Sequence, residues 1–126
     1  NDYMSIEQIQ KFINESIKYN IKWKQIAISG GEPTMHPNIL EIMQLLIGYK
    51  INFSPLTSIV IITNGFAKKT EEILEALPKS VIIKNTGKQT PIQKFIAFNI
   101  APIDLKEYRW TDFQMAVLFL GIADWV

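Results

Sequence analysis

Apolar residues in the first half of the chain recur at the spacing of amphipathic helices, interrupted by short runs in which nearly every residue is apolar. Behind Ser5, isoleucines follow every three or four residues, and Gln8 completes a capping-box pattern, which predicts a helix over residues 5–20. The same spacing resumes at Ile39 and weakens near Gly48. The expected helices are residues 5–20, 39 to about 48 with a loop over 49–57 behind it, and 71–77 with Thr70 as its cap and Pro78 as its end.

The apolar runs between these helices predict strands of a parallel sheet. Residues 58–63 are mostly Ile and Val, the composition of a strand that is buried on both faces. Helices and strands alternate, with connections long enough for parallel βαβ units, so the expected fold class is α/β. The expected strands are residues 24–29, 58–63 and 80–84, with 94–100 as a further candidate.

The first of these strands runs directly into a glycine pair that carries a carboxylate. Gly30 and Gly31 follow the strand, Glu32 comes next, and Pro33 ends the strand pattern. Ligands in open α/β sheets bind at the carboxyl ends of strands, and residues without a Cβ let the backbone approach a ligand closely. A phosphate would favour neutral amides or a lysine at this place. The acid therefore points to a cationic group, such as an ammonium.

A longer stretch around this turn resembles a known motif. Residues 29–37 read Ser-Gly-Gly-Glu-Pro-Thr-Met-His-Pro, and residues 59–65 read Ile-Val-Ile-Ile-Thr-Asn-Gly. In this order and at βαβ spacing, they resemble the Gly-Gly-Glu motif and the next strand of the radical S-adenosylmethionine (radical SAM) enzymes. Two ordered motifs are more specific than either alone, and the resemblance covers roughly residues 3–85. It implies part of a (β/α)6 partial TIM-like barrel.

The resemblance also implies a cofactor site. The turn would receive the ammonium group of the methionine part of S-adenosylmethionine, and polar residues at the next two strand ends would line the same face. Two structural alternatives stay open: Glu32 as an acid that favours a helix N-terminus, and Asn64 as a left-handed turn residue. No catalytic residue or metal ligand is expected in this chain, and the single histidine, His36, is expected to position the turn. The residues implied to bind the cofactor are Gly30, Gly31, Glu32, Pro33, Thr63, Asn64 and Asn85.

The sequence contains no cysteine, which conflicts with the [4Fe-4S] cluster that radical SAM enzymes use to cleave the cofactor to a 5′-deoxyadenosyl radical. Such clusters need thiolates, which the family supplies from a CxxxCxxC loop after its first barrel strand. We therefore expect an internal piece of a longer enzyme. Residues 1–110 would form a partial core domain without the first strand, and 111–126 a divergent or truncated tail. The apolar run 116–123 is expected to be an exposed patch.

Composition limits the remaining classes. The 126 residues are 48% hydrophobic and 20% charged, which is typical of one globular domain. A net charge of +1 gives no reason to expect nucleic acid or an anionic membrane as a partner. No apolar run approaches the ~20 residues of a bilayer span, and a cytoplasmic location is expected. The alternative to a radical SAM enzyme is a non-catalytic α/β module that binds a small ligand or a partner in the same strand-end crevice.

Overall fold

The computed structural model describes residues 3–63, 70–85, 96–98 and 115–121, and these form an α/β fold around one sheet. The helices are α1 (Ile6–Lys18), α2 (Ile39–Asn52) and α3 (Thr70–Ala76), and a 3₁₀ helix spans Pro33–Met35. The strands are β1 (Gln25–Ser29), β2 (Ser58–Thr63), β3 (Ile82–Asn85), β4 (Ile96–Phe98) and β5 (Met115–Phe119). The five strands lie in the order β3-β2-β1-β5-β4, and each neighbouring pair is parallel. The predicted α/β class with parallel units is confirmed.

The amino-terminal helix begins as its sequence predicts. Ser5 is the N-cap of α1, and its hydroxyl accepts a hydrogen bond of 3.1 Å from the amide of Gln8. In return, the Gln8 side-chain oxygen accepts from the amide of Ser5 at 2.9 Å. This reciprocal pair satisfies two amides that a helix start otherwise leaves without a partner.

The two long helices cover one face of the sheet. The main core lies between these helices and that face. Alternate strand residues enter this core: Ile26 and Ile28 from β1, Ile59 and Ile61 from β2, and Ala116 and Leu118 from β5. The intervening residues face the other side of the sheet, where Ala27, Val60 and Val117 form a second, smaller cluster. The central strands are therefore buried on both faces, as their continuous apolar sequence indicates.

The second helix continues past its predicted end near Gly48 and stops at Asn52. Tyr49, the next residue, is buried; its hydroxyl donates to the carbonyl of Ile21 at 2.7 Å and accepts from the amide of Trp23 at 3.2 Å. This anchoring outweighs the cost of about 1 kcal/mol for a glycine inside a helix. The predicted loop over 49–57 is wrong for its first four residues.

Several further element boundaries differ from the prediction by one or two residues. Helix α1 ends at Lys18 instead of residue 20, and β1 begins at Gln25 instead of residue 24. The third strand begins at Ile82 instead of residue 80, because the amide of Val81 donates to the carbonyl of Pro78 in a turn (3.0 Å). Helix α3 includes Thr70, which was expected to precede it as a cap.

The largest difference concerns the end of the chain. Strand β5 lies between β1 and β4, and Ala116, Val117, Leu118 and Leu120 are buried. The prediction of an exposed patch over 116–123 is therefore wrong for its described residues. The predicted domain boundary between residues 110 and 111 lies outside the described residues and stays a prediction. In the described part of the chain, no helix has the length and apolar character to cross a bilayer.

Candidate functional site

The chain leaves β1 through two glycines in the left-handed region of backbone space. Gly30 has a φ of +87° and Gly31 a φ of +58°, values that other residues adopt only at a cost. The chain then enters the 3₁₀ helix at Pro33, whose ring supplies the φ of a first helical residue and whose missing amide needs no partner there. The Gly-Gly-Glu-Pro sequence thus has a conformational reason at three of its four positions.

The end of β5 packs directly against Gly30. A Cβ on this residue would lie 2.9 Å from the Cα of Phe119 and 3.1 Å from the carbonyl oxygen of Gly121. The carbonyl of Ser29 also accepts a 2.8 Å hydrogen bond from the amide of Leu120. Gly30 is buried, so the close approach that it permits is to β5, while Gly31 is exposed on the outer side of the turn.

Glu32 joins the turn to the end of the neighbouring strand. One carboxylate oxygen, Oε2, accepts from the amide of Thr34 at 2.9 Å and from its hydroxyl at 2.6 Å. The other, Oε1, accepts from the hydroxyl of Thr63 at 2.8 Å. Glu32 is therefore the N-cap of the 3₁₀ helix. This role is similar to the structural alternative considered for Glu32, an acid that favours a helix N-terminus. The same carboxylate also holds the carboxyl end of β2 beside that of β1.

A chain of hydroxyl groups extends this contact to helix α3. The hydroxyl oxygens of Thr34 and Thr70 are 2.8 Å apart. Since a hydroxyl has a single proton and that of Thr34 is directed to Glu32, Thr70 is the donor of this pair. Sequence reasoning missed Thr34 and Thr70. An acid two residues before Thr34 is a local capping signal, whereas nothing local marks Thr70 as a partner.

His36 fixes the far side of the turn. Its Nδ1 accepts from the amide of Asn38 at 3.0 Å, which leaves the proton on Nε2 to be donated to the carbonyl of Met4 at 2.7 Å. The amide of Met4 in turn donates to the carbonyl of Leu120 at 2.7 Å. The buried imidazole thereby connects the turn to the first described residues and, through them, to the end of β5, as expected for a residue that positions the turn.

Two of the remaining predicted site residues, Thr63 and Asn85, are described by the structure, and both lie at this edge of the sheet. Thr63 is the last residue of β2, and it is in register with Asn85, the last residue of β3. Asn64 lies outside the described residues. The structure thus brings together the turn of residues 30–33, Thr63 and the backbone of Asn85 at three adjacent strand ends.

An open groove of about 620 Å³ lies beside the turn, on its helical side. Met35, Leu40 and Ile73 supply apolar walls, and the start of α2 forms its floor. Neither the glycine pair nor Glu32 lines it. The groove is large enough for a small organic ligand, and its lining includes Thr34, which donates to Glu32, but none of the residues predicted to bind the cofactor.

The residues of this chain do not fit an iron–sulfur cluster. Cysteine is absent from the sequence. Among the described residues, no group of three or more histidine, aspartate or glutamate side chains could hold a metal ion. Because cluster iron requires thiolate ligands in nearly all such proteins, these 126 residues cannot supply the ligand set.

Comparison with known proteins gives one match. A family model described as the radical SAM superfamily matches residues 1–85, which contain β1, β2, β3 and the glycine turn. No match was found among curated proteins or among solved structures.

Proposed function

The chain belongs to the radical SAM superfamily, and from this premise we propose that it is the part of an enzyme that binds the methionine end of S-adenosylmethionine. The observation that carries the proposal is the left-handed glycine turn at the end of β1, with the Glu32 carboxylate held across to β2. Gly30, Gly31, Glu32 and Pro33 would form the ammonium site. Thr63, Asn64 and Asn85 would complete the same edge.

The geometry of Glu32 suits a cationic group. The side chain is half-buried, so its charge is only partly screened by solvent, and three hydrogen bonds from Thr34 and Thr63 fix its orientation. A carboxylate that is ordered before binding loses little conformational freedom when the cation arrives. A hydrogen bond between an ammonium and a carboxylate is also stronger than one between neutral groups.

The radical chemistry itself would come from the cofactor. In the intact enzyme, S-adenosylmethionine would be the source of a 5′-deoxyadenosyl radical, and the protein would bind, orient and shield it. We propose that the cluster required for this is held by a segment outside residues 1–126, because the sequence offers no thiolate. The arc β1-β2-β3, in sequential order, fits part of a (β/α)6 barrel. The cytoplasmic location and the absence of nucleic-acid and membrane partners stay predictions.

A second candidate function is a non-catalytic α/β module that binds a small ligand at the same edge. One observation favours it: the sequence contains no cysteine. The two candidates differ in what the full-length gene should contain. The enzyme requires a CxxxCxxC motif upstream of residue 1, whereas the binding module does not.

The direct test is the affinity of the cluster-containing full-length protein for S-adenosylmethionine, measured by calorimetry. Glu32→Gln keeps the size of the side chain but removes its charge, which should cost roughly 1.5–3 kcal/mol, or about ten- to hundred-fold in affinity. Glu7→Gln is the matched control, since Glu7 is an exposed acid in the first turn of α1 and lies outside both the turn and the groove. Equal affinities in the wild type and the Glu32 variant would contradict the assignment of the ammonium site.

A further inference from the structure

We propose that Thr63 and Thr34 are positioning residues for the cofactor: their hydroxyls hold the Glu32 carboxylate in the orientation that receives the ammonium group. The inference rests on the proposed function and narrows the role of Thr63, which the sequence suggested as a direct contact. Thr63 has 0% of its surface exposed. Its buried hydroxyl donates to Glu32, 2.8 Å away, and this hydrogen bond connects Thr63 to the proposed ammonium site.

The hydrogen bonds that join Glu32 to Thr34 and Thr63, and Thr34 to Thr70, run in one direction. Thr70 donates to Thr34, Thr34 donates to Oε2 through both its amide and its hydroxyl, and Thr63 donates to Oε1. An ionised carboxylate, which only accepts, matches this set of donors. The hydroxyl protons of Thr70, Thr34 and Thr63 are thus directed toward Glu32. The carboxylate is the final acceptor of these hydrogen bonds.

The donors come from separate parts of the fold, so the carboxylate is held from several sides. Thr63 ends β2, Thr34 lies in the 3₁₀ helix, and Thr70 begins α3. Thr34 and Thr70 are buried, like Thr63. A Glu side chain on an exposed turn would sample several rotamers, and a cation would have to select one of them. Here the fold already fixes the rotamer of Glu32. We therefore expect the hydroxyls to increase the preference for a ligand that carries the ammonium group over one that lacks it.

Thr63→Val tests this role because valine has the shape of threonine without the donor, while Thr63→Ser keeps the donor. Thr57→Val is the matched control. Thr57 is equally buried, donates to the carbonyl of Trp23 at 2.5 Å, and lies just before the opposite end of the same strand. Each variant would be made in the full-length protein carrying its cluster.

The measurement is the dissociation constant for S-adenosylmethionine and for its des-amino analogue, which lacks only the ammonium group. In Thr63→Val, binding of S-adenosylmethionine should weaken about ten-fold while binding of the analogue stays the same. Thr63→Ser should restore most of the difference, and Thr57→Val should lower the melting temperature without changing the ratio of the two constants. If Thr63→Val does not fold, Thr70→Val removes the outermost donor and should reduce the ratio by a smaller factor.

The outcomes separate the inference from the function on which it rests. If the wild type prefers S-adenosylmethionine over the analogue and Thr63→Val keeps the full preference, the positioning role is refuted and the ammonium site stands. The same conclusion follows if Thr63→Val weakens both ligands equally, since that is the result of a merely structural residue. If the wild type binds both ligands equally, the ammonium site is refuted, and the positioning role with it.

Discussion

Two glycines of this chain should respond in opposite ways to the same substitution. In Gly30→Ala, the new Cβ would sit 2.9 Å from the backbone of Phe119, at a φ of +87°. In Gly48→Ala, the new Cβ would meet nothing within 4 Å, inside α2. Each change adds one methyl group, so the pair isolates the environment of the glycine from the chemistry of the substitution.

The expected magnitudes follow from the local geometry. A non-glycine residue in the left-handed region costs about 1–2 kcal/mol, and forcing an extra carbon into a packed contact costs about 1–3 kcal/mol. The smaller conformational freedom of alanine in the unfolded chain returns roughly 0.4–1 kcal/mol. Gly30→Ala should therefore lower the free energy of unfolding by about 1–4.5 kcal/mol, with a central value of about 3 kcal/mol. Gly48→Ala should raise it by up to about 1 kcal/mol, because alanine favours the helix.

Urea unfolding of residues 1–126 without any ligand, followed by circular dichroism, measures both changes. With a typical slope of about 1–3 kcal/mol per molar urea, the midpoint should fall by about one molar or more in Gly30→Ala and rise slightly in Gly48→Ala. If Gly30→Ala leaves the midpoint unchanged, Gly30 does not pack against β5 as described.

Three further predictions concern the alkaline limit of stability, association and cluster binding. Burial raises the pKa of the Tyr49 hydroxyl above its ordinary value of 10.0, despite the opposing effects of hydrogen bonds with Trp23, Ser54 and Thr57. The folded chain therefore retains this proton where the unfolded chain loses it, so the free energy of unfolding should fall as pH rises above about 10, and less steeply in Tyr49→Phe. Ile83 is 43% exposed on β3, an edge strand of the described sheet, and Ile83→Lys should reduce association in light scattering, whereas Leu56→Lys, at a 92% exposed residue outside any strand, should not. Anaerobic reconstitution of residues 1–126 with iron and sulfide should give no 4Fe-4S absorbance; a cluster spectrum from the pure chain would contradict the absence of a ligand set.

The local features of this fold could be predicted from the sequence, and the long-range ones could not. The capping box at Ser5 and Gln8 and the bounds of β2 depend on neighbouring residues, and both agree with the structure. The continuation of α2 past Gly48 depends on a hydrogen bond between Tyr49 and Ile21, distant in sequence. Similarly, residues 116–123 were expected to be an exposed patch, because nothing in the local sequence shows that residues 115–119 will pair with β1.

The candidate site shows the same division. The glycine turn, its acid and the polar residue at the end of the next strand were all visible in the sequence, because motif and spacing record them. The hydrogen bonds from Thr63 to Glu32 and from Thr70 to Thr34 were not, since they form only after β2 and α3 have packed beside the turn. From the sequence, the Glu32 carboxylate was interpreted as a ligand-binding group. The structure shows that it also connects the turn to the end of β2.

The pairing of β1 with β5 has a consequence for the order of events in folding. Residues 25–29 find their partners at 115–119, near the other end of the chain, so this contact closes the longest loop in the sheet. Topologies that depend on such distant pairings fold slowly. During synthesis, β1 and β2 can pair early, but Gly30 stays uncovered until residues 119–121 have left the ribosome. Completion of the turn should therefore be a late step, and a chain truncated before residue 115 should expose the edge of β1 to association with other copies.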